Sequence, residues 1–364
     1  MFLGAMASAG AGGLLFLNSK RFGALPEGDD LKRIMKSRHY VNGLFQNELP
    51  TPVLVEGQSK LGAWLSFLFS RNDRLRPDHP LPAVKTALGS LDRHADLIVW
   101  FGHSSFYLHL SGKRILIDPV LSKYASPLPV AVRAFDGTDI YAPSDIPDID
   151  LLVLSHDHWD HMDYPTLSVL EPRISHVVCG LGAGSHLARF GFSREKIHEG
   201  DWGDRFSFED LRVHVTPARH FSGRLFSSNR TLWTGFVLQT DRRQIFFSGD
   251  SGYGPHFSEI GKRFNHMDLA LIDMGQYNER WKYVHMQPEE SARAASDVHA
   301  RLLMPTHVGK FSISRHPWDE PFERISKVAA GKEWLLLTPR IGEPVFFDGE
   351  RKCSAWWRDV DGRA

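Results

Sequence analysis

The sequence predicts a layered α/β fold, because short apolar runs with strand composition alternate with stretches of helical spacing. Glycine, proline and polar turn residues bound the runs, as they bound strands in globular domains. We expect strands at 97–101, 106–110, 114–117, 151–154, 177–179, 211–215, 233–239, 244–247, 269–272 and 301–304. We expect helices between some of these strands, at 165–170, 185–190 and 288–299.

The composition is that of an ordinary globular protein, with 364 residues of which 42% are hydrophobic and 24% charged. Lys plus Arg and Asp plus Glu both number 43, so the formal net charge is zero. This balance argues against a nucleic-acid partner, because nucleic-acid-binding domains usually carry a basic excess. Cys179 and Cys353 are the two cysteines, too few for a disulfide framework. Any bound metal must therefore be held by His, Asp and Glu.

The N-terminus is apolar: residues 1–17 contain no charged side chain, and Lys20 and Arg21 follow soon after. A secretory signal would carry its positive charge before the apolar run. The segment is short and glycine-rich for a membrane span, which needs about 20 apolar residues. A membrane anchor and a tail that is disordered or packed on the protein both stay open. If the segment spans, the basic residues after it favour a bacterial inner-membrane protein with a cytoplasmic body.

We divide the chain into an apolar segment at 1–18, an N-terminal extension at 19–95 that packs on the core, and a main domain at 96–350. Within the extension we expect a short helix at 30–37 and an apolar helix at 60–69. The second helix is apolar on most of its circumference. It therefore either packs on the main domain or contacts a membrane.

The apolar run 151–154 is followed directly by the pattern H-x-H-x-D-H. A buried strand that ends in a polar turn projects such side chains into a cleft at the edge of a sheet. His156 and His158 can then face one metal ion, while Asp160 and His161 can face a second.

Three further residues of the types that bind metals each follow an apolar strand: His220, Asp250 and His307. A lone histidine at a strand end is more often a structural residue than a metal ligand. Four strand ends that all carry such residues favour metal ligands instead. We assign one ion to His156, His158 and His220, and the other to Asp160, His161 and His307, with Asp250 as a bridge. Asp157 is not assigned as a ligand; it either supports the ligands from outside or is a turn residue, and we favour the turn residue.

Imidazole and carboxylate ligands without thiolate suit zinc, or less selectively another divalent transition metal. We therefore predict two Zn²⁺ ions. Two ions about 3.5–4 Å apart can hold a bridging hydroxide at neutral pH and stabilise the developing oxyanion. Asp160 and Asp250 are thus assigned catalytic roles, and no serine or cysteine nucleophile is required.

With these residues the chain resembles the metallo-β-lactamase superfamily, which carries H-x-H-x-D-H and then His, Asp and His after strands. It is further similar to the phospholipase D family that hydrolyses N-acyl-phosphatidylethanolamine, and to the bacterial relatives of that family, over roughly residues 38–345. The matching stretches are 39–42, 100–105, 117–119, 217–221, 248–253 and 259–264. The most specific is 277–281 together with His285, Pro288, Glu289 and Glu290, a block that the metal site does not require.

The resemblance implies a four-layer αββα sandwich and metal ligands at the seven assigned positions. It implies hydrolysis of a phosphodiester in an N-acylated phospholipid, with a membrane surface as partner. His285 matches a family histidine near the substrate phosphate, where it would orient or protonate the leaving group; the alternative is a packed loop histidine. Arg224, Arg230 and Tyr277 are candidate substrate contacts.

The chain departs from the family pattern at three places. Phe221 stands where a tryptophan is usual, the loop at 222–230 differs in detail, and Asp273 replaces an apolar or proline position. These departures concern lipid specificity rather than the metal ligands.

Three functions agree with these observations. The favoured one is a phosphodiesterase that acts on N-acylated phospholipid or a similar phosphodiester. The second is a lactonase or another ester hydrolase, because one fold serves many substrates. The third is a non-enzymatic, membrane-associated metal-binding protein. The full set of ligands argues against this third function. The sequence leaves an oligomeric state open.

Overall fold

Two seven-stranded sheets face each other, and helices cover the outer face of each, so that the protein has four layers in the order αββα. The computed structural model describes residues 16–54, 74–128, 131–224, 227–349 and 354–362. The predicted helix at 60–69 and nearly all of the apolar N-terminal segment lie outside the described residues. The four-layer sandwich implied by the family resemblance is confirmed.

The two sheets have the same plan, with three antiparallel pairings followed by three parallel ones. In spatial order, the first sheet contains β16 (Pro344–Phe346), β3 (Leu97–Trp100), β4 (Phe106–Leu110), β5 (Lys113–Ile117), β6 (Ile149–Leu154), β7 (Ile174–Gly180) and β8 (Ile197–Gly200). The second contains β9 (Arg205–Phe208), β10 (Leu211–Thr216), β11 (Gly235–Gln239), β12 (Gln244–Phe247), β13 (Leu269–Asp273), β14 (Leu302–Thr306) and β15 (Leu335–Leu336). A small hairpin precedes them, formed by β1 (Tyr40–Val41) and β2 (Leu44–Phe45).

The helices connect strands and lie on the outer faces. They are α1 (Gly28–Ile34), α2 (Tyr164–Leu170), α3 (Ala183–Phe190), α4 (His256–Phe264), α5 (Pro288–Asp297) and α6 (Glu320–Ala329). Single 3₁₀ turns lie at Lys20–Phe22, Leu88–Ser90, Pro143–Asp145, Glu171–Arg173, Arg194–Lys196, Glu279–Trp281 and Trp356–Arg358. Among the residues described, no helix combines the length and the apolar character that a membrane crossing requires.

Alternation along the buried strands determines which layer each side chain joins. In β6, Leu151 and Val153 pack between the two sheets, while Leu152 and Leu154 pack against α2 and α3. Successive side chains of a strand point to opposite faces, so a strand covered on both faces is apolar throughout. This explains why the central strands read as continuous apolar runs in the sequence.

Each predicted strand and helix of the main domain is found, with ends shifted by a few residues. The unpredicted strands are the short or polar ones: β8, β9, β15 and β16. β9 is only partly buried, and β15 has two residues, so neither has a strong apolar pattern. The sequence prediction also omitted α4 and α6, which carry polar residues on their outer sides.

The N-terminal extension contacts the second sheet through Asn47. Its Nδ2 donates to the carbonyl oxygen of His220 at 2.7 Å, and its Oδ1 accepts from the backbone N–H of His220 at 3.1 Å. The same Oδ1 accepts from the indole N–H of Trp233 at 3.0 Å. Asn47 therefore fixes the backbone at a predicted metal ligand.

The contact between the sheets can be tested at Phe106, a fully buried residue whose ring meets that of Phe247 at 6.4 Å. We expect Phe106→Ala to lower the free energy of unfolding by about 3–5 kcal/mol, because the cavity cannot collapse between two rigid sheets. The matched control is Phe346→Ala on the edge strand, where the side chain is 41% exposed. The control should change the unfolding free energy by no more than about 0.5 kcal/mol in urea denaturation. Equal losses in both variants would contradict this packing.

Candidate metal centre

The strand ends of both sheets meet at one edge of the sandwich, and the predicted ligands lie there. The motif residues follow β6 of the first sheet, whereas His220, Asp250 and His307 follow β10, β12 and β14 of the second. The structure brings all seven together in two adjacent groups. Neither sheet alone supplies a complete group.

The first group consists of His156, His158, His220 and Asp250. His158 Nδ1 lies 2.8 Å from His156 Nε2 and 3.3 Å from His220 Nε2. Asp250 Oδ2 lies 3.8 Å from the Nε2 atoms of both His156 and His220. Three imidazoles and a carboxylate thus converge on a small volume, which is the donor set of a four-coordinate ion.

The second group consists of Asp160, His161, His307 and, in addition, His103. Asp160 Oδ2 lies 3.1 Å from His307 Nε2, 3.6 Å from His161 Nε2 and 2.9 Å from His103 Nε2. His103 was not predicted as a site residue. It lies in the turn between β3 and β4. Like the other candidates it follows an apolar strand, and this position is the sequence feature that could have identified it.

His103 and His307 link the two sheets at this group. The backbone N–H of His307 donates to His103 O at 3.2 Å, and that of His103 donates to Val308 O at 2.9 Å. Both histidines have positive φ, 56° and 64°, a conformation that residues other than glycine rarely adopt. Such backbone strain persists where the surrounding structure fixes it, and it is common at functional sites.

Asp250 lies between the two groups. Its Oδ2 is 3.1 Å from His161 Nε2 and 3.3 Å from His307 Nε2, in addition to its contacts with the first group. One carboxylate oxygen is therefore near four imidazoles that belong to two groups. This position fits the bridging role assigned to Asp250 from the sequence.

The donor atoms fit a metal ion because several are buried without another partner. Within the described residues, His161 Nε2 and Asp250 Oδ1 have no hydrogen-bond partner although both are shielded from solvent. A buried polar atom without a partner costs about 1–3 kcal/mol. A bound cation would satisfy both atoms. The groups lack thiolate: among the described residues the free cysteine is Cys179, which packs in the helix-covered core of the first sheet.

The imidazoles of the first group are neutral bases. Burial, reinforced by neighbouring histidines, holds the pKa of His156 and of His220 well below the ordinary range. Burial also lowers the pKa of His158. Neutral imidazole is the form that coordinates metals, so this group is ready to bind.

His161 and His307 of the second group differ, because two carboxylates lie against them, whereas burial lowers the pKa of His103 to about 4. Burial alone would lower the pKa of His307, but Asp250 and Asp160 outweigh it and raise that pKa to about 10. The same balance raises the pKa of His161 well above the ordinary range. Burial would raise the pKa of Asp250, but the cationic His161 and His307 hold it well below its usual range. In the metal-free protein, protons on these imidazoles compensate the carboxylates.

Outer contacts orient several of the rings. Asp118 Oδ2 lies 2.7 Å from His161 Nδ1, and Val284 O lies 2.9 Å from His220 Nδ1. These contacts leave Nε2 of each ring directed into the site. Acceptors of this kind fix the tautomer and raise the basicity of metal-binding histidines. Asp118 directly follows β5 and was not predicted, because one carboxylate carries no spacing pattern.

His285 lies against both groups. Its ring centroid is 4.9 Å from that of His220 and 4.8 Å from that of His307. It forms a third cluster with Asp250 and His307, and it is only partly buried. The ring thus borders the predicted ligands, and its role toward the leaving group stays a prediction.

Arg224 does not fit the predicted substrate contact. It is buried, and its guanidinium donates to the carbonyl oxygens of Asp157, Met162 and Arg21 at 2.8–2.9 Å. It also stacks on Trp159, 3.8 Å from the ring centroid. Its hydrogen bonds hold the backbone around the H-x-H-x-D-H motif, so its role is structural.

Tyr277 is a second correction. Its hydroxyl donates to Glu320 Oε1 at 2.7 Å, and its ring stacks on His316 at 4.4 Å. The buried ring thus packs against the start of α6 instead of reaching the metal groups. Arg230 is partly buried, and its substrate contact stays a prediction.

Asp157 is more than the turn residue that was expected. It is buried, with Oδ2 3.2 Å from His186 Nε2, and its Oδ1 accepts from the backbone N–H of Gly223 at 2.6 Å. The motif carboxylate that is not a candidate ligand therefore attaches the motif to α3 and to the loop after His220.

The comparisons with known proteins agree with this geometry. A family model described as the beta-lactamase superfamily domain matches residues 113–308. An uncharacterized protein of Mycobacterium tuberculosis is 34% identical over 327 residues, which cover 89% of this chain and 88% of that protein. N-acyl-phosphatidylethanolamine-hydrolyzing phospholipase D 1 of Caenorhabditis elegans is 29% identical over 297 residues, with 75% and 82% of the two chains covered.

A solved structure shares the fold: Igni18, a metallo hydrolase from the archaeon Ignicoccus hospitalis. Its TM-score to this chain is 0.55 at 20% identity, and the match covers 70% of this chain and 100% of Igni18. At this identity the likeness concerns the fold alone. Together with the family model and the relatives, it places the chain in the metallo-β-lactamase superfamily, as a metal-dependent hydrolase.

Proposed function

We propose that the chain is a binuclear phosphodiesterase that hydrolyses an N-acylated phospholipid or a similar phosphodiester. The observation that carries this proposal is the position of His285 beside two adjacent metal-binding groups that share Asp250. The name of the Caenorhabditis elegans relative, which hydrolyses N-acyl-phosphatidylethanolamine, supports the substrate class.

We propose zinc as the metal, because imidazoles and carboxylates without thiolate form both groups. Two divalent ions held there would supply activation of a water molecule and stabilisation of negative charge on the phosphate oxygens. Asp160 and Asp250 would neutralise the cations and fix their separation. The partly exposed His158 and His285 mark the open side, from which a substrate can approach.

His285 is suited to give a proton to the leaving group. A phosphodiester of an N-acylethanolamine releases an alcohol, which leaves poorly as an alkoxide and needs a proton. The ring is held next to both groups but is not part of either four-residue set. It can therefore transfer a proton without giving up a metal ligand.

The position of the N-terminal segment supports action at a membrane surface. Phe22 packs edge-to-face on Trp159 of the motif, with centroids 5.4 Å apart, and Phe16 packs on Phe22 at 5.3 Å. The described end of this segment therefore packs against the motif, next to the partly exposed His158. Residues 1–17 carry no charged side chain, and an apolar segment of this kind suits an enzyme that takes its substrate from a bilayer.

A comparison of substrates tests the proposed activity. We expect zinc-loaded protein to hydrolyse N-acyl-phosphatidylethanolamine in vesicles and bis-p-nitrophenyl phosphate, and to turn over simple lactones at least about 100-fold more slowly, a difference of about 2.7 kcal/mol in transition-state binding. Product analysis should give phosphatidic acid and the N-acylethanolamine. Faster turnover of lactones than of either phosphodiester would reject the proposal in favour of a lactonase.

Removal of one carboxylate tests the metal centre. We expect Asp160→Asn to lower kcat by at least about 1,000-fold, because the second group loses its negative charge. The metal-free variant should still fold, with a melting temperature below that of the wild type, because the cationic imidazoles lose one of their partners. Asp210→Asn, at an exposed turn, is the control and should keep full activity. Turnover that is unchanged in Asp160→Asn protein would contradict the mechanism.

Metal binding should release protons. His307, with a pKa of about 10, and His161, with a raised pKa, both carry an extra proton at pH 7 and must lose it to coordinate a cation. Zinc affinity should therefore rise with pH up to about pH 10. Calorimetric titration at pH 7 in buffers of different ionisation enthalpy should show about two protons released, and about one in His307→Ala protein. A heat that does not depend on the buffer would rule out this charge state.

A further inference from the structure

We infer that Asp273 is a positioning residue that orients His307 and His285 together, so that one carboxylate serves both a metal ligand and the histidine that acts on the leaving group. The part that concerns His285 rests on the proposed function; the part that concerns His307 does not. Asp273 is the last residue of β13 and is fully buried. It is also one of the positions at which the chain departs from the family pattern.

The carboxylate reaches both rings. Asp273 Oδ2 lies 3.0 Å from His285 Nδ1, and Oδ1 lies 3.4 Å from His307 Nδ1. The first contact is a hydrogen bond, and the second is a close charge contact. The two rings stack with centroids 4.8 Å apart and planes 25° apart, so they present the same edge to the carboxylate.

The carboxylate is itself held in place. Oδ2 accepts from the backbone N–H of Ser251 at 3.1 Å, and Oδ1 accepts from that of Gly275 at 3.2 Å. The backbone N–H of Asp273 donates to Ser248 Oγ at 2.9 Å, and its carbonyl accepts from Ser291 Oγ at 2.6 Å. Asp273 is thus fixed by the loop that carries Asp250 and by α5. A rigid acceptor leaves the rings little freedom to turn.

This arrangement favours one tautomer in both rings. A carboxylate accepts hydrogen bonds, so His285 carries a proton on the Nδ1 that faces Asp273, and the negative charge 3.4 Å from His307 Nδ1 favours a proton on that nitrogen as well. The Nε2 atoms then point away from the carboxylate. His307 Nε2 accordingly lies 3.1 Å from Asp160 Oδ2 and 3.3 Å from Asp250 Oδ2.

A single amide substitution separates this role from simple packing. Asp273→Asn keeps the size of the side chain but replaces one acceptor oxygen with an N–H donor, so it can satisfy one ring and not both. The matched control is Asp268→Asn, which immediately precedes the same strand at its other end and accepts from the backbone N–H of Gln244 at 2.9 Å. Asp268 is absent from all three clusters.

The first measurement is zinc affinity by competition with a chromophoric chelator, in folded full-length protein. We expect Asp273→Asn to weaken one of two zinc sites about 10- to 100-fold, and Asp268→Asn to leave both unchanged. Unchanged affinity in Asp273→Asn protein would overturn the role toward His307. This measurement does not depend on any substrate, so it decides the inference even if the protein hydrolyses no phosphodiester.

The second measurement is a double-mutant cycle with His285→Ala, made at saturating zinc with N-acyl-phosphatidylethanolamine in vesicles, whose alkoxide leaving group needs a proton. We expect Asp273→Asn to lower kcat about 10- to 100-fold with little change in KM when His285 is present, and to have no further effect on kcat in the His285→Ala background. Equal losses in both backgrounds would show that Asp273 does not act through His285.

If Asp273→Asn protein does not fold, the wild type still provides a test. In zinc-loaded protein labelled with ¹⁵N-histidine, we expect His285 and His307 to show protonated Nδ1, with the His285 signal assigned by its loss in His285→Ala protein. A proton on Nε2 of either ring would overturn the inference.

Discussion

Two buried carboxylates, Asp160 and Asp250, must be compensated by imidazole rings that come from separate strand ends. An isolated buried carboxylate would cost several kcal/mol of solvation energy, and each therefore needs cationic partners at close range. Asp250 Oδ2 has them at 3.1 and 3.3 Å, from one histidine of each sheet. The register of the two sheets thus has to bring His161 and His307 to one oxygen atom.

This constraint extends into the backbone around the site. Gly249, beside Asp250, has a φ of 58°, and a Cβ there would lie 2.5 Å from the carbonyl oxygen of Thr234. A Cβ on Gly275 would lie 1.8 Å from His307 O. Only glycine permits such close approach of backbone to backbone. The loops that follow β12 and β13 therefore pack as tightly as the strands, and the first of them carries Asp250 at a fixed position.

The order of apolar runs was enough to predict a layered α/β fold, because strands that are covered on both faces have a continuous apolar pattern. The four-layer order was implied by the family resemblance. The same runs predicted where the candidate ligands gather, since each of them follows a strand. Spacing could not identify Asp118, Asp273 or His103: each is a single residue whose partner lies more than ten positions away in the chain. Arg224 and Tyr277 were wrongly predicted as substrate contacts, because the type of a residue and its position in the sequence do not show which way its side chain points. The structure directs one to backbone carbonyls and the other to Glu320.

Because the two sheets share the ligands of each group, metal binding affects how long the folded protein survives in a cell. Because neither sheet holds a complete group, a cation that binds both groups interacts with the native state and hardly at all with partly folded halves. Such a ligand stabilises the native state by RT ln(1 + [L]/Kd), which is about 4 kcal/mol when its free concentration is 1,000 times Kd. Metal supply would then govern the lifetime of the chain as well as its turnover. In a metal-starved cell the protein would be lost to proteases through the unfolded state, before its activity became limiting.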